Sequence, residues 1–476
     1  MKKLIIKSIL LSLITLLFIK LSEKYFITEN RFNYANYKFN NLNKVLKFDL
    51  LFFGSSKSYC AYNPTIFKNN LDVNTFNLAG QDQTLDVTSF VIDEALKKSK
   101  PKLIIVDVTE SMFFIREEDS NYVKRKAFQF PIYDNYGLSV NKIKHIKNMY
   151  KGEQAFYAVS PLIRNHRNWM DVFNYNYKKS FLEDKNNIFL SNNGFLGTLQ
   201  YLNKSDLKIA KDLDHASYKL IKTNNPRVGP KEIETLKNIK NLADNHDVEI
   251  LFISTPSIKE YYTNLSFYEE LEQVFNELDA NYLNLYRELD TILTPKDFKD
   301  IVHLNYNGGY KISQYLSEYL KQNYDLTSDK PNPNASLINN VTYHLLTNLK
   351  HTNKIIDSSF QFNNKIKLNE FGYFEEDDNR FVFLMKLENN LFKENELDKY
   401  IGYIRHYKGE ITEDNKNVNG FPLKVIDINK DKFIFARVLI DTSVISKFDV
   451  FFLEKKTKKA SKFFTIKDLK IKKNAD

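Results

Sequence analysis

Short, nearly unbroken apolar runs alternate with helix-length amphipathic stretches through the first two thirds of the chain. Phe48-Asp49-Leu50-Leu51-Phe52-Phe53 ends at Gly54, Val73 to Leu78 ends at Ala79-Gly80, and Lys102 to Val108 follows Pro101. Runs of this kind fit strands buried on both faces of a parallel sheet. Between the first two, Asn63 can cap a helix whose first position suits Pro64, and after the second, Val87 to Leu96 is amphipathic. From about residue 112 to 228 the rhythm gives way to an aromatic, helical-looking insertion or lid. It resumes with a helix at Lys231 to Asn245, a strand at Val248 to Ser254, a helix at Phe267 to Leu278, a last strand at Tyr282 to Leu285 and a closing helix from about Gly309 to Gln322. The alternation predicts an α/β fold with a doubly wound, mostly parallel sheet over residues 46–325.

The pattern then changes. Two prolines among small polar residues, Ser328-Asp329-Lys330-Pro331-Asn332-Pro333-Asn334, mark a linker over residues 326–354. Beyond it Phe381 to Leu387, Phe433 to Ile440 and Phe448 to Leu453 are β-favouring runs separated by polar turns. Residues 355–476 are expected to form an antiparallel β-domain, a sandwich.

The first 28 residues stand apart. Lys2, Lys3 and Lys7 precede the apolar run Ile9 to Ile19, the order of an export signal. No small-x-small cleavage site and no lipid-accepting cysteine follow, so an uncleaved signal-anchor is expected, with the rest of the chain extracytoplasmic. A secreted chain after signal cleavage is the alternative, because the run is short for a membrane span. The net charge of +10 comes from scattered Lys and Arg with one dense stretch at Glu454 to Lys459. It suits an anionic membrane or acidic glycan, and no nucleic-acid motif accompanies it. Cys60 is the single cysteine, which excludes an internal disulfide and a multi-cysteine metal site.

Candidate chemistry falls at the C-terminal ends of the expected strands, where open α/β sheets place their sites. Gly54-Ser55-Ser56 closes the first, Asn77-Leu78-Ala79-Gly80-Gln81 the second, and Asp300-Ile301-Val302-His303-Leu304-Asn305 precedes the closing helix. A serine hydroxyl needs a base and the base an orienting group; His303 and Asp300 would supply them. Asp214-His215 is another adjacent acid and imidazole, on a helix-like segment. No His-x-x-x-His or similar cluster is present, so neither metal nor cofactor is expected.

Together these motifs resemble the SGNH or GDSL hydrolase superfamily, and look similar to its membrane-anchored bacterial branch associated with cell-surface polysaccharide acylation. The resemblance covers roughly residues 48 to 322. It implies Ser56 as nucleophile, His303 as base and Asp300 as its partner. It also implies an oxyanion hole from the backbone of Ser56 and Gly80, with Gln81 as a candidate contributor. The implied partners are an acylated cell-surface polysaccharide or small molecule as substrate, the membrane through the N-terminal segment, and a membrane-bound acyltransferase. The third block of the family, Gly-x-Asn-Asp, is replaced after Val108 by Thr109-Glu110-Ser111-Met112. Its asparagine would donate to the oxyanion, and losing such a donor costs about 2.7–4 kcal/mol. Either Gln81 or another group substitutes, or the enzyme is slow, or the domain binds without catalysing.

Overall fold

The computed structural model describes residues 2–26, 48–113, 127–168, 189–200, 228–258 and 265–326, with a few positions between them. It also describes 341–346, 349–350, 352–356, 359–364, 366–377, 380–388, 400–408, 421–422, 424–428, 431–439 and 445–467. The linker at 328–334 and the pair Asp214-His215 lie outside the described residues. The chain divides into two compact units, Met1–Pro331 and Asn332–Asp476.

In the first unit, helix α1 (Lys2–Phe26) precedes β1 (Leu50–Phe53), α2 (Ser56–Ala61), α3 (Pro64–Leu71), β2 (Thr75–Asn77), α4 (Leu85–Leu96) and β3 (Leu103–Asp107). The described part of the insertion contains helices α5 (Phe130–Tyr133), α6 (Val140–Met149), α7 (Glu153–Val159) and α8 (Pro161–Asn165), and a hairpin of β4 (Phe189–Asn192) and β5 (Phe195–Thr198). Helix α9 (Pro230–Asn245), β6 (Glu249–Ser254), α10 (Leu265–Glu277), β7 (Tyr282–Asn284), a single helical turn at Leu289–Ile292 and α11 (Tyr306–Asn323) follow.

The five strands lie in the order β2-β1-β3-β6-β7 and every pairing is parallel. This is the doubly wound sheet expected, with chain reversal beside β1. All four residues of β1 are fully buried, which explains why its sequence does not alternate. Leu51, Phe53, Ile104, Val106 and Phe252 face a core built from α4, α9 and α10. Leu50, Phe52, Ile105, Leu251 and Ile253 face the other, built from α3 and α11. Burying each such side chain contributes about 1.5–3 kcal/mol, so both faces hold the sheet.

Helix starts follow their sequence signals. Asn63 accepts the Thr65 N–H ahead of Pro64, Thr84 accepts from Val87, and Asn305 accepts from Gly308 at the head of α11. At the N-terminus, Ile9, Leu10, Leu11, Ile14, Leu17 and Phe18 are exposed along α1. Among the described residues no helix is long and apolar enough to cross a membrane.

The second unit holds two antiparallel sheets. One comprises β8 (Asn353–Ile356), β9 (Phe360–Gln361), β10 (Lys367–Asp377), β11 (Arg380–Leu387), β14 (Lys424–Ile428) and β15 (Asp431–Leu439). The other comprises β12 (Tyr400–Lys408), β13 (Phe421–Pro422), β16 (Ile445–Glu454) and β17 (Phe464–Lys467). Phe371, Phe383 and Met385 of the first share a core with Ile404, Phe448, Val450 and Phe452 of the second, making a sandwich.

Candidate active site

The turn after β1 sets the place of Ser56. Gly54 has φ +143°, a conformation L side chains rarely adopt, and a Cβ there would meet the Asp107 carbonyl oxygen at 2.8 Å. The chain therefore reverses tightly over the end of β3 and enters α2 with Ser56 as its first residue. Ser56 is half-buried.

His303 arrives on a short loop before α11. Phe298 bridges to Leu304, and the Lys299 N–H donates to the His303 carbonyl at 3.0 Å. Inside this loop Asp300 Oδ1 accepts the backbone N–H groups of Val302 and His303, each at 2.8 Å. The same carboxylate lies 3.0 Å from His303 Nδ1 through both oxygens. An Asp-x-x-His spacing thus has a local cause, since one carboxylate folds the turn and orients the ring it carries. His303 Nε2 lies 2.8 Å from Ser56 Oγ, closing a Ser–His–Asp chain across 247 residues of sequence.

Two helices are clamped together to hold that distance. Ser313 of α11 donates its hydroxyl to the Ala61 carbonyl and accepts the Asn63 N–H, both at 2.9 Å. A Cβ at Gly309 would stand 2.6 Å from the Cys60 carbonyl oxygen, so α11 approaches α2 at a glycine. Asn305 supports the loop from below, donating to the carbonyls of Lys296 and Phe298.

Electrostatics follow the geometry. Burial of Asp300 raises its carboxyl, but the hydrogen bond and charge of His303, the Val302 N–H and Lys299 outweigh it and bring the value to about 2. The carboxylate is therefore ionised at any ordinary pH. Cys60, one turn after Ser56, is fully buried, and burial pushes its thiol up to about 12. It is no competing nucleophile.

The second motif behaves differently from expectation. Asn77, fully buried, donates to the carbonyls of Ser58 and Tyr62 and accepts from Ala79, tying the end of β2 to α2. The Gly80 N–H, expected to face a developing oxyanion, instead donates to the Gly54 carbonyl at 3.1 Å. The turn uses this donor to join the two motifs. Gln81 follows in the turn, half-buried. The Ser56 N–H has no intrahelical partner by its position at the helix start. At the third-motif position Thr109 is fully buried with its hydroxyl 3.2 Å from that of Ser111.

Two buried groups near the site carry no local sequence signal. Asp107 accepts the Thr255 N–H at 2.9 Å and the Thr255 hydroxyl at 2.7 Å, locking the ends of β3 and β6. Lys57, 2% exposed and adjacent to Ser56, donates to Ser257 Oγ at 3.3 Å and the Tyr286 hydroxyl at 3.4 Å. Charged residues are almost never so buried unless paired, and a lysine in the sequence gives no sign of such burial. Among the described residues no cluster of three or more His, Cys, Asp or Glu is placed to hold a metal.

No family model matches the sequence, and no curated protein does. Among solved structures, a GDSL-like lipase from Bacteroides thetaiotaomicron VPI-5482 is similar at 11% identity and TM-score 0.29, covering 61% of this chain and 98% of that one. A protein provisionally assigned as an acylhydrolase, from Bacteroides fragilis NCTC 9343, is similar at 10% identity and TM-score 0.28, covering 61% and 95%. Scores at this level carry no argument. The architecture rests on the strand order, and the chemistry on hydrogen-bonded contact among Ser56, His303 and Asp300.

Proposed function

We propose that this chain is a serine-dependent acyl-transfer enzyme of the SGNH type, acting on O-acyl esters. The hydrogen-bonded series Ser56 Oγ, His303 Nε2, His303 Nδ1 and Asp300 carries the proposal. Ser56 Oγ attacks the acyl carbonyl while His303 Nε2 takes its proton, and Asp300 stabilises the imidazolium. The tetrahedral intermediate collapses as the imidazolium returns the proton to the leaving alcohol, leaving an acyl-Ser56 ester. Water then makes the reaction a hydrolysis, and a second hydroxyl makes it a transfer, with His303 again moving the proton.

With the Gly80 N–H engaged, the Ser56 N–H is the backbone donor left for the oxyanion, and Gln81, in the turn beside Gly80, is the side chain proposed to add another. Labelling of the full chain with a fluorophosphonate probe tests the nucleophile. Reaction with wild type and its loss in Ser56→Ala is expected, and equal labelling of both proteins would refute the assignment.

Export and a cell-surface glycan ester as substrate extend the proposal. Lys2, Lys3 and Lys7 ahead of the apolar run support the first, and the resemblance to polysaccharide-acylating proteins supports the second. A reporter active only after export, fused beyond Asn334, should be active. Activity of a cytoplasmic reporter at the same point would overturn export. A second reading, a binding protein with a slow or silent site, is favoured by the engaged Gly80 N–H and the buried Thr109.

A further inference from the structure

We propose that Lys57 is a positioning residue of the acyl-transfer reaction, tying the helical turn that carries Ser56 to the loops after β6 and β7. The proposal rests on the serine reading above and adds a residue outside the Ser56–His303–Asp300 series. Lys57 is the second residue of α2, directly after Ser56, and it is buried. Its Nζ donates to Ser257 Oγ at 3.3 Å, three residues beyond the end of β6, and to the Tyr286 hydroxyl at 3.4 Å, two residues beyond β7. With the strands in the order β2-β1-β3-β6-β7, a side chain rooted in the turn after β1 therefore reaches across the end of β3.

The two acceptors are themselves fixed. The Tyr286 hydroxyl accepts the Ser257 N–H at 3.1 Å and donates to the Tyr268 hydroxyl at 3.3 Å, and the two tyrosine rings stack with centroids 4.2 Å apart. The Tyr268 hydroxyl in turn accepts the Glu110 N–H at 3.5 Å. Glu110 belongs to Thr109-Glu110-Ser111-Met112, the stretch that replaces the third motif after β3. A chain of polar contacts thus runs from the residue after Ser56 to the segment whose usual asparagine is missing.

The first turn of α2 needs such a tie. Ser55 occupies the N-cap without a side-chain cap bond, and its buried hydroxyl has no hydrogen-bond partner among the described residues. On the β2 side Asn77 holds the turn through the carbonyl and hydroxyl of Ser58, at 3.0 and 3.5 Å. Lys57 is the matching hold on the β6 side. The Ser56 N–H is the donor proposed for the oxyanion, and its direction depends on how this turn sits. Donors fixed before reaction stabilise the developing charge without reorganising. Loss of the tie should therefore slow acylation of Ser56 while leaving substrate affinity nearly unchanged.

The test compares hydrolysis of a small acetyl ester, fluorophosphonate labelling and urea unfolding in variants of the full-length chain. Lys57→Met keeps an apolar stem and removes the donor. Its kcat and labelling rate should each fall about 100-fold, the cost of a misplacement of about 1 Å, with KM within about twofold of wild type. Lys57→Arg, which returns a donor, should recover much of the loss. Ser257→Ala and Tyr286→Phe should each lower kcat, and neither should add fully to the loss in Lys57→Met, because all three interrupt one chain. An unchanged kcat in Lys57→Met, a raised KM in place of a lowered kcat, or losses that simply add would overturn the proposal. Should Lys57→Met fail to fold, unchanged kcat in both Ser257→Ala and Tyr286→Phe would do the same. A wild type that neither hydrolyses nor labels would refute the serine reading and this inference with it, whereas a wild type matched in rate by Lys57→Met refutes this inference alone.

Discussion

The hydroxyl of Ser313 donates to the carbonyl of Ala61 over 2.9 Å, and so joins the helix that follows His303 to the helix that begins at Ser56. The same oxygen accepts the Asn63 N–H. Ser313→Ala leaves both backbone groups without that partner in a buried place, a destabilisation of about 1–3 kcal/mol. Activity should fall further than stability, since a misplacement of about 1 Å between reacting groups can cost on the order of 100-fold. Denaturant titration and ester-hydrolysis rates on one preparation check this; an unchanged kcat would mean that the clamp does not set the Ser56–His303 distance.

Removing the orienting carboxylate isolates its role. Asp300→Asn should reduce kcat by about 10⁴-fold, as in the best-studied serine triad. Asp300 also accepts the Val302 and His303 N–H groups, which an asparagine oxygen can still do, so the loop should persist. Retained fluorescence and melting temperature with lost turnover is the expected pattern.

The pH profile follows from the same group. Asp300 is held at about 2, below its ordinary 3.8, so it does not titrate in the range where hydrolysis is measurable. For stability the sign is fixed by the depressed value. The contribution of Asp300 is complete above about pH 4 and is lost as pH falls toward 2, because the unfolded chain takes the proton first. Acid unfolding of wild type and Asp300→Asn compared between about pH 4 and pH 2 checks this, and an equal loss of stability in both would contradict it.

Gly54→Ala should destabilise the first unit by about 1–3 kcal/mol from backbone strain alone. The close approach to the Asp107 carbonyl adds to this. Urea unfolding followed by tyrosine and tryptophan fluorescence measures it, and a loss below about 0.5 kcal/mol would mean that the turn relaxes freely.

Exhaustive chelation should leave ester hydrolysis intact, because every proton in the proposed reaction is moved by side chains of the chain itself. Activity lost on chelation and restored by a divalent ion would count against the serine mechanism.

What the sequence made legible was what local pattern can encode. The runs at 50–53 and 103–107 are buried on both faces and so read as unbroken apolar stretches. Asp300 and His303 sit on one loop, close enough in sequence to be seen as a pair. The insertion was opaque because its described parts are held by distant contacts: Leu196 of β5 packs with Tyr59 and Ala79, far away in the chain. Lys57 and Asp107 were missed for a similar reason, since their partners Ser257, Tyr286 and Thr255 come from the ends of other strands. The engagement of the Gly80 N–H is likewise invisible in a motif, because glycine at that position is compatible with either orientation of the peptide.

The hairpin between β4 and β5 closes one border of the parallel sheet. Its turn residue Asn193 offers its carbonyl to the Asn77 N–H at 2.8 Å and its side-chain amide to the Thr75 carbonyl at 3.4 Å, along the outer side of β2. A Cβ at Gly194 would stand 1.8 Å from the Asn77 carbonyl oxygen, so only glycine lets the turn come this near. An outermost strand with bare amides and carbonyls invites pairing with another chain. Here that invitation is withdrawn by a segment inserted more than a hundred residues later, and the insertion thereby acts as a guard against edge-to-edge aggregation at the border nearest Ser56.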